Sequence, residues 1–555
     1  MSRTKKDKLE DYLSEYLLCK NNFDFFCSNY IKIELPGGDV YFKPYDVQNE
    51  LVNTILNRHH VIVLKSRQIG ISTITKALCA WLVIFYDNVV IGIISKDAKE
   101  ATDFSRDIRG MIEKLPSWMK PSGGVSGKGF AKKTEQSFIL TNGSKVFASP
   151  VNPNAPEKTL RGKSITFLVI DEAAFIKHID TAWTAIVPAL ATSQKNARMK
   201  GIPYGTVILS TPNKVEGVGK WFYERYMAAL QENDIFTPFR IHWSDIPELA
   251  NDPEWYENQK RLFQYNQDKI DQELELKFLP GGGSFFDTDI CRTLQNNCCS
   301  PIIKTRIKTG ELWIFEKPDK KNFYLIGIDT ASPHGNDNSA ISVWDYETVN
   351  QIADFECKSE VFEFIEVIRY VNQIFPNNIL IIESNSYGNQ IIETLGRDVN
   401  YNYNIFKEER NGKFYPGVNT NPKTRPLMIE ALYSYVSEFP EIIKSERLAL
   451  QLVGLEQKKN GRVEAGPGLK DDIALTAAFV FYVRKYCSST FSLYIKNNKE
   501  VLSEISNVLN NNYENTIDPL NINEIIEQQN QFISDSKQIN DNAMDLFGFF
   551  NGRDF

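Results

Sequence analysis

Val61-Ile62-Val63-Leu64-Lys65-Ser66-Arg67-Gln68-Ile69-Gly70-Ile71-Ser72-Thr73 reads as a buried strand, a short loop holding Gly70, and the first turn of a helix. Four consecutive apolar residues, three of them β-branched, suit a strand covered on both faces. From Ile71 to Phe85 the apolar residues continue at helical spacing. A strand–loop–helix turn of this kind aims backbone N–H groups and a helix N-terminus at an anion. The phosphate-loop pattern GxxxxGK[ST] is met with two departures: Ser66 stands at the first glycine and Ile71 at the lysine. Lys65, at the front of the loop, is placed to supply the missing charge. An ordinary strand-to-helix turn has the same outline, so the rest of the chain decides.

At 555 residues the chain exceeds one hydrophobic core, and two or three domains are expected. The net charge of −7 argues against a surface coated in positive charge, although a local basic groove is compatible with it. The eight cysteines form no CxxC pair, and no histidine lies near the adjacent Cys298 and Cys299, so free thiols in a reducing compartment are expected and zinc is not. The segment from Met1 to Glu10 has no apolar signal core, and no apolar run reaches membrane-spanning length. A soluble intracellular protein is the expectation.

Downstream of the loop, Asn88–Ile94, Ser144–Ala148 and Gly205–Leu209 read as further strands. The strand Ile165–Ile170 ends in Asp171-Glu172. An acid at that tip can hold Mg²⁺ opposite a phosphate cradle, and its neighbour can polarise an attacking water. The hydroxyls of Ser210 and Thr211, at the tip of the next strand, are placed to sense a terminal phosphate. Upstream, Gln48 carries an amide that matches the donor–acceptor edge of adenine; a helix-surface glutamine is the plainer alternative. Together these predict a doubly wound α/β nucleotide-binding domain. ATP phosphates fall to Lys65 and the loop around Ser66, Gln68 and Gly70, and Mg²⁺ falls to Asp171 with Ser72 or Thr73.

Pro280-Gly281-Gly282-Gly283-Ser284 punctuates the chain, and 281–317 is expected as a linker. A second α/β unit over 318–487 carries acids at two strand ends, Asp329 and Glu383, and at a helix start, Asp471-Asp472. Three carboxylates so placed suit a pair of Mg²⁺ or Mn²⁺ ions holding a scissile phosphate. The Asn- and Gln-rich 488–555 is expected as a tail, disordered or of loosely attached helices, with the aromatic patch Met544-Asp545-Leu546-Phe547-Gly548-Phe549-Phe550 near its end.

In this run of motifs the chain resembles the large terminase subunits of tailed double-stranded DNA bacteriophages. The resemblance is carried by Tyr45-Asp46-Val47-Gln48, the loop 66–73, Arg161-Gly162, Val169–Ile176 and Ser210-Thr211-Pro212-Asn213. It is extended by Asp329, by Glu383 with Asn385-Ser386-Tyr387-Gly388, and by Asp471-Asp472. It implies a P-loop ATPase domain with a mostly parallel sheet over 1–280, followed by an RNase H-like nuclease domain. It implies Glu172 as the water-orienting acid and Arg67 as a charge stabiliser. Ser210-Thr211 would couple hydrolysis to movement, and Asp329, Glu383, Asp472 and Asp337 would be metal ligands. Lys470 stands where many relatives have histidine, and Lys423, Thr424 and Arg425 fall in a region where relatives carry basic residues, which suits phosphate contact and a solvated helix start equally. By resemblance the partners are double-stranded DNA, the capsid portal and the small terminase subunit. The assembly would be a pentameric ring on the portal, in the host cytoplasm and only transiently docked on the procapsid. A helicase-like remodeller, or a DNA-binding assembly protein with an inactive loop, remains as an alternative.

Overall fold

The apolar run before the loop forms strand β1 (His60–Lys65), buried along almost its whole length. The computed structural model describes residues 5–122, 129–231, 234–307, 310–332, 335, 337–398 and 403–487. Helix α1 (Asp46–Arg58) leads into β1, and α2 (Ile71–Phe85) leaves the loop, buried nearly all round. The first sheet adds β2 (Val90–Ser95), β3 (Lys145–Pro150), β4 (Phe167–Asp171), β5 (Gly205–Ser210) and β6 (Thr237–Ile241). These six run parallel in the order β6-β1-β5-β4-β2-β3, and Ser137–Leu140 and Phe130–Lys133 continue the sheet antiparallel. Near-continuous Val, Ile and Leu in the central strands is the composition of a sheet covered on both faces. Register aligns the carboxyl ends: Leu64 lies beside Ser210 and Asp171 beside Leu209.

Helix α3 (Lys220–Leu230) follows β5. The stretch 281–317, expected as a linker, is instead folded. Asp287 caps α4 (Thr288–Asn297) by accepting from the Ile290 N–H at 2.9 Å. Strands β7 (Ile303–Ile307) and β8 (Gly310–Ile314) form a hairpin on the second sheet, because the apolar side chains of Leu312 and Ile314 complete its core. The glycine run is pinned as well, since Gly282 N–H donates to Glu216 Oε1 at 2.8 Å.

The second sheet continues with β9 (Tyr324–Asp329), β10 (Ser339–Asp345), β11 (Gln351–Cys357) and β12 (Asn378–Ile382), in the order β7-β8-β11-β10-β9-β12. Three antiparallel strands with a parallel fourth beside the first make the RNase H-like arrangement. The β9–β12 pairing sets Ile328 beside Ile382, so Asp329 and Glu383 leave the sheet side by side. The remaining helices used below are α5 (Ser386–Gly396), α6 (Thr424–Glu438), α7 (Glu446–Val453) and α8 (Asp472–Tyr486). Arg447 on α7 is buried in an ion pair with Asp354 and stacks over Trp313 at 4.0 Å from the ring centre.

Both halves belong to one unit that ends at Cys487, and the expected tail, 488–555, lies outside the described residues. Among those residues no helix is long and apolar enough to cross a membrane.

Gly327 lets α8 lie against β9: a Cβ there would sit 2.2 Å from the Thr476 carbonyl oxygen. Gly327→Ala must therefore push α8, and Asp472 at its start, away from Asp329. A destabilisation of about 1–3 kcal/mol is expected in urea unfolding, the usual cost of overpacking. Gly396→Ala, where nothing lies within 4 Å, serves as the neutral comparison.

Candidate active sites

The carboxyl edge of the first sheet gathers the predicted nucleotide residues. Lys65 is buried, and its ammonium meets Glu172 Oε1 at 2.8 Å. Burial opposes that charge, but Glu172, Asp171 and Glu273 outweigh it and hold the lysine above its ordinary pKa. Ser72, on the first turn of α2, stands 3.3 Å from both carboxylate oxygens of Asp171. Burial raises the Asp171 carboxyl against the pull of Lys65 and Lys76. Thr73 is half-buried on the same turn. A hydroxyl and a carboxylate facing each other beside a phosphate loop form a hard-oxygen pair suited to Mg²⁺. Gly70 at φ 77° and Gln68 at φ 59° turn the loop into the helix.

Ser66 and Arg67 in the loop, and Gln48 on α1, take other tasks than phosphate or base contact in this structure. The Ser66 hydroxyl donates to the Leu274 carbonyl at 2.6 Å and accepts from the Trp243 N–H at 3.0 Å, so it ties the loop to the segment after β6. Arg67 points outward, half-exposed, 3.4 Å from Glu273. Gln48 is fully buried: its Oε1 accepts from the Tyr45 N–H at 3.1 Å and its Nε2 donates to the Ile69 carbonyl at 3.0 Å. An amide engaged at both ends braces the loop from behind and is not presented to a base.

Glu172 sits at φ 55°, a left-handed conformation that costs a non-glycine residue about 1–3 kcal/mol. The turn after it is clamped by the predicted coupling segment. Ser210 Oγ accepts from the Ala174 N–H at 3.1 Å, and Asn213 Nδ2 donates to the Ala174 carbonyl at 2.9 Å. Thr211 is buried with its hydroxyl unpartnered among the described residues. Arg161 is exposed in a turn.

In the second sheet the acids assemble as two pairs. Asp329 hydrogen-bonds to Glu383; burial first, then the charge of Glu383, hold the Asp329 carboxyl well above the ordinary range. Glu383 also accepts from Asn385 Nδ2 at 2.5 Å, while Asn385 Oδ1 caps α5 by accepting from the Gly388 N–H at 2.8 Å. Gly388 is required there, since a Cβ would lie 1.8 Å from the Glu383 carbonyl oxygen. Asp472 pairs with Glu356, and burial together with Glu356 pushes its carboxyl up to about 10 against the pull of Lys470. Asp471 is 3.9 Å from Arg425, and Asp337 is exposed nearby, acting on Asp471 through its charge. Among the described residues no three His, Cys, Asp or Glu side chains converge as a ready metal-ligand set. The donor set still fits a hard divalent cation. It is oxygen-only, and burial holds the Asp329 and Asp472 carboxyls above the ordinary range, so a cation would offset the charge that burial disfavours there.

Glu356 escaped sequence reasoning. It lies inside β11, where Asp354 and Glu356 alternate with Ala353 and Phe355 and mimic a solvent-facing edge. Alternation next to a buried Gln351 was the available signal.

Fold and sites together define a phosphate-loop nucleotide-binding sheet joined to an RNase H-like sheet that carries an acid cluster. Residues 62–293 match the family model described as "Terminase large subunit, T4likevirus-type, N-terminal". Over this stretch, which is less than half of the chain, the sequence is similar to the large terminase subunits. Similar solved structures include the large terminase ATPase domain of Thermus phage P74-26, at 20% identity over 43% of this chain and 95% of that one, with a TM-score of 0.33. The magnesium-bound large terminase nuclease of thermophilic phage G20c is similar at 15% identity, over 36% of this chain and 98% of that one, with a TM-score of 0.28. The large terminase of another thermophilic bacteriophage is similar at 11% identity, over 80% of this chain and 99% of that one, with a TM-score of 0.32.

Because Gln48 braces Ile69, Gln48→Ala should weaken ATP and GTP binding together. Titration with fluorescent analogues of both nucleotides checks this, and loss confined to ATP would restore the adenine-reading role.

The acid pairs set a pH dependence. A carboxyl whose pKa is raised on folding binds its proton more tightly in the folded chain, so stability falls as pH rises from the ordinary carboxylate range towards about 10, the Asp472 value. In chelator, the thermal midpoint should fall over that window. Added Mn²⁺ should restore it, and by more at alkaline than at acid pH.

Proposed function

We propose that the chain hydrolyses ATP to drive double-stranded viral DNA into a procapsid and cuts the DNA concatemer at its acid cluster. The supporting observation is the convergence of Lys65, Ser72, Asp171 and Glu172 at the carboxyl edge of a parallel sheet. In this reading 1–280 is the ATPase part, 318–487 is the nuclease part, and 281–317 joins them while extending the second sheet. The partners are double-stranded DNA, the portal and the small terminase subunit. The working assembly is a pentameric ring in the host cytoplasm, docked on the procapsid only while DNA is moved.

Lys65 binds the β- and γ-phosphates. Its partner Glu172 is held by the same ammonium, so phosphates that take over Lys65 release Glu172 to accept a proton from the attacking water. Arg67, on the exposed rim, reaches the transferring group after leaving Glu273. Ser72 and Asp171 hold Mg²⁺ in the first site, and Asp329, Glu383 and Asp472, with Asp337 at the rim, hold Mg²⁺ or Mn²⁺ in the second. The metals supply positive charge to the phosphate oxygens at both sites. Ser210 and Asn213 pass displacement of the Glu172 turn to β5, and Thr211 offers a hydroxyl beside it. Asn385 keeps Glu383 oriented, and Arg425 is set to meet a DNA phosphate near Asp471.

Glu172→Gln should abolish ATP turnover and spare ATP binding, and Asp329→Asn should abolish plasmid cleavage in Mn²⁺ while leaving ATPase activity intact. Turnover by the first variant, or cutting by the second, removes the corresponding assignment.

A further inference from the structure

We propose that Glu356 is a positioning residue for the acid cluster and that Gln231, in the ATPase half, sets its placement. The proposal rests on the nuclease reading of that cluster. Glu356 is fully buried in β11, and three amides saturate its carboxylate. Gln231 Nε2 donates to Oε2 at 2.9 Å, Gln451 Nε2 donates to the same oxygen at 3.1 Å, and Asn338 Nδ2 donates to Oε1 at 2.7 Å. With so many donors it is poorly placed to be a metal ligand itself. What it does hold is the surroundings of Asp472. The Asn338 N–H donates to Asp472 Oδ2 at 3.1 Å, and Gln451 Oε1 accepts from the Ala474 N–H at 3.0 Å on the first turn of α8. Removing the carboxylate frees both amides that fix that turn.

Gln231 makes the arrangement more than local. It caps the end of α3, the helix that follows the Ser210–Asn213 strand tip and its turn. One of its amide hydrogens thus crosses from the nucleotide half to the nuclease sheet, 125 residues away in sequence. A cavity of about 290 Å³ lies alongside, bordered by Gln231, Asn338 and Lys470, and leaves the end of α3 room to shift. A shift there loosens Glu356, then Asn338, then Asp472. Nuclease competence in this chain therefore depends on where the ATPase half holds α3. Partners of this kind behind a metal ligand are commonly worth about 10–100-fold in metal affinity or activity.

The test uses the full-length chain, with plasmid cleavage titrated in Mn²⁺ and ATP turnover measured in parallel. Gln231→Leu should lower maximal cleavage by about tenfold and raise the Mn²⁺ concentration at half-maximal cleavage. ATP turnover should be unchanged. Glu356→Gln, which keeps the shape and removes the shared acceptor, should shift the Mn²⁺ dependence in the same direction. Wild-type Mn²⁺ dependence in Gln231→Leu overturns the proposal, even if Glu356→Gln fails to fold. A wild-type chain that binds and hydrolyses ATP but cuts no DNA overturns the nuclease reading and this proposal with it.

Discussion

Parallel pairing places the chemistry of both halves. When parallel strands share a register, their carboxyl ends finish in one line, and whatever residue follows each strand faces its neighbour. In the first sheet that line brings together Lys65, Ser210, Asp171 and Glu172. In the second, the single parallel pair does the same for Asp329 and Glu383. The two edges differ in how their charge is balanced. Asp171 and Glu172 have a buried lysine between them. Around Asp329, Asp472 and Glu356 the counter-charges of Lys470, Arg447 and Arg425 do not offset burial, which holds the three carboxyls above their ordinary range. The first edge is therefore stable as an ion pair awaiting an anion. The second favours protons on Asp329 and Asp472.

The departures in the phosphate loop follow from the same logic. With the lysine on β1 and not on the helix, the ammonium starts from the floor of the site and is fixed by the sheet. Ile71 at the usual lysine position is buried and anchors α2 to the core. Ser66, in place of a glycine, uses its hydroxyl to join the loop to Leu274 and Trp243. The loop is thereby stitched to the 241–275 segment, which also carries Glu273, the partner of Arg67. Movement of the loop and movement of that segment cannot be independent.

Much of this was legible in the chain because strand ends announce themselves: an apolar run that stops at a carboxylate is readable at Asp171, Asp329 and Glu383. Asp472 was legible as a helix start. Other features were hidden for physical reasons. Gln48 carries a group that can bind a base or a backbone, and only packing decides which. Glu356 occupies a polar position in an alternating strand, and the covering helices that bury it lie about a hundred residues downstream. The 281–317 segment contains a capped helix and an alternating hairpin, signals that the preceding glycine run obscured. That glycine run is itself held by Glu216, a side chain remote in sequence.

Discrete polar contacts cross the join between the halves, beside apolar packing. Tyr223 donates to the Leu450 carbonyl at 2.5 Å, Gln231 to Glu356 at 2.9 Å, and Gly282 to Glu216 at 2.8 Å, with Ser284 bridging to Glu456. An apolar interface deforms gradually, because each contact is weak and non-directional. A buried hydrogen bond is directional, so it is either kept or broken at the cost of an unsatisfied group. A join of this type favours a small number of distinct arrangements over a continuum. A displacement of the first half would therefore reach the second as one of a few definite states and not as a graded one.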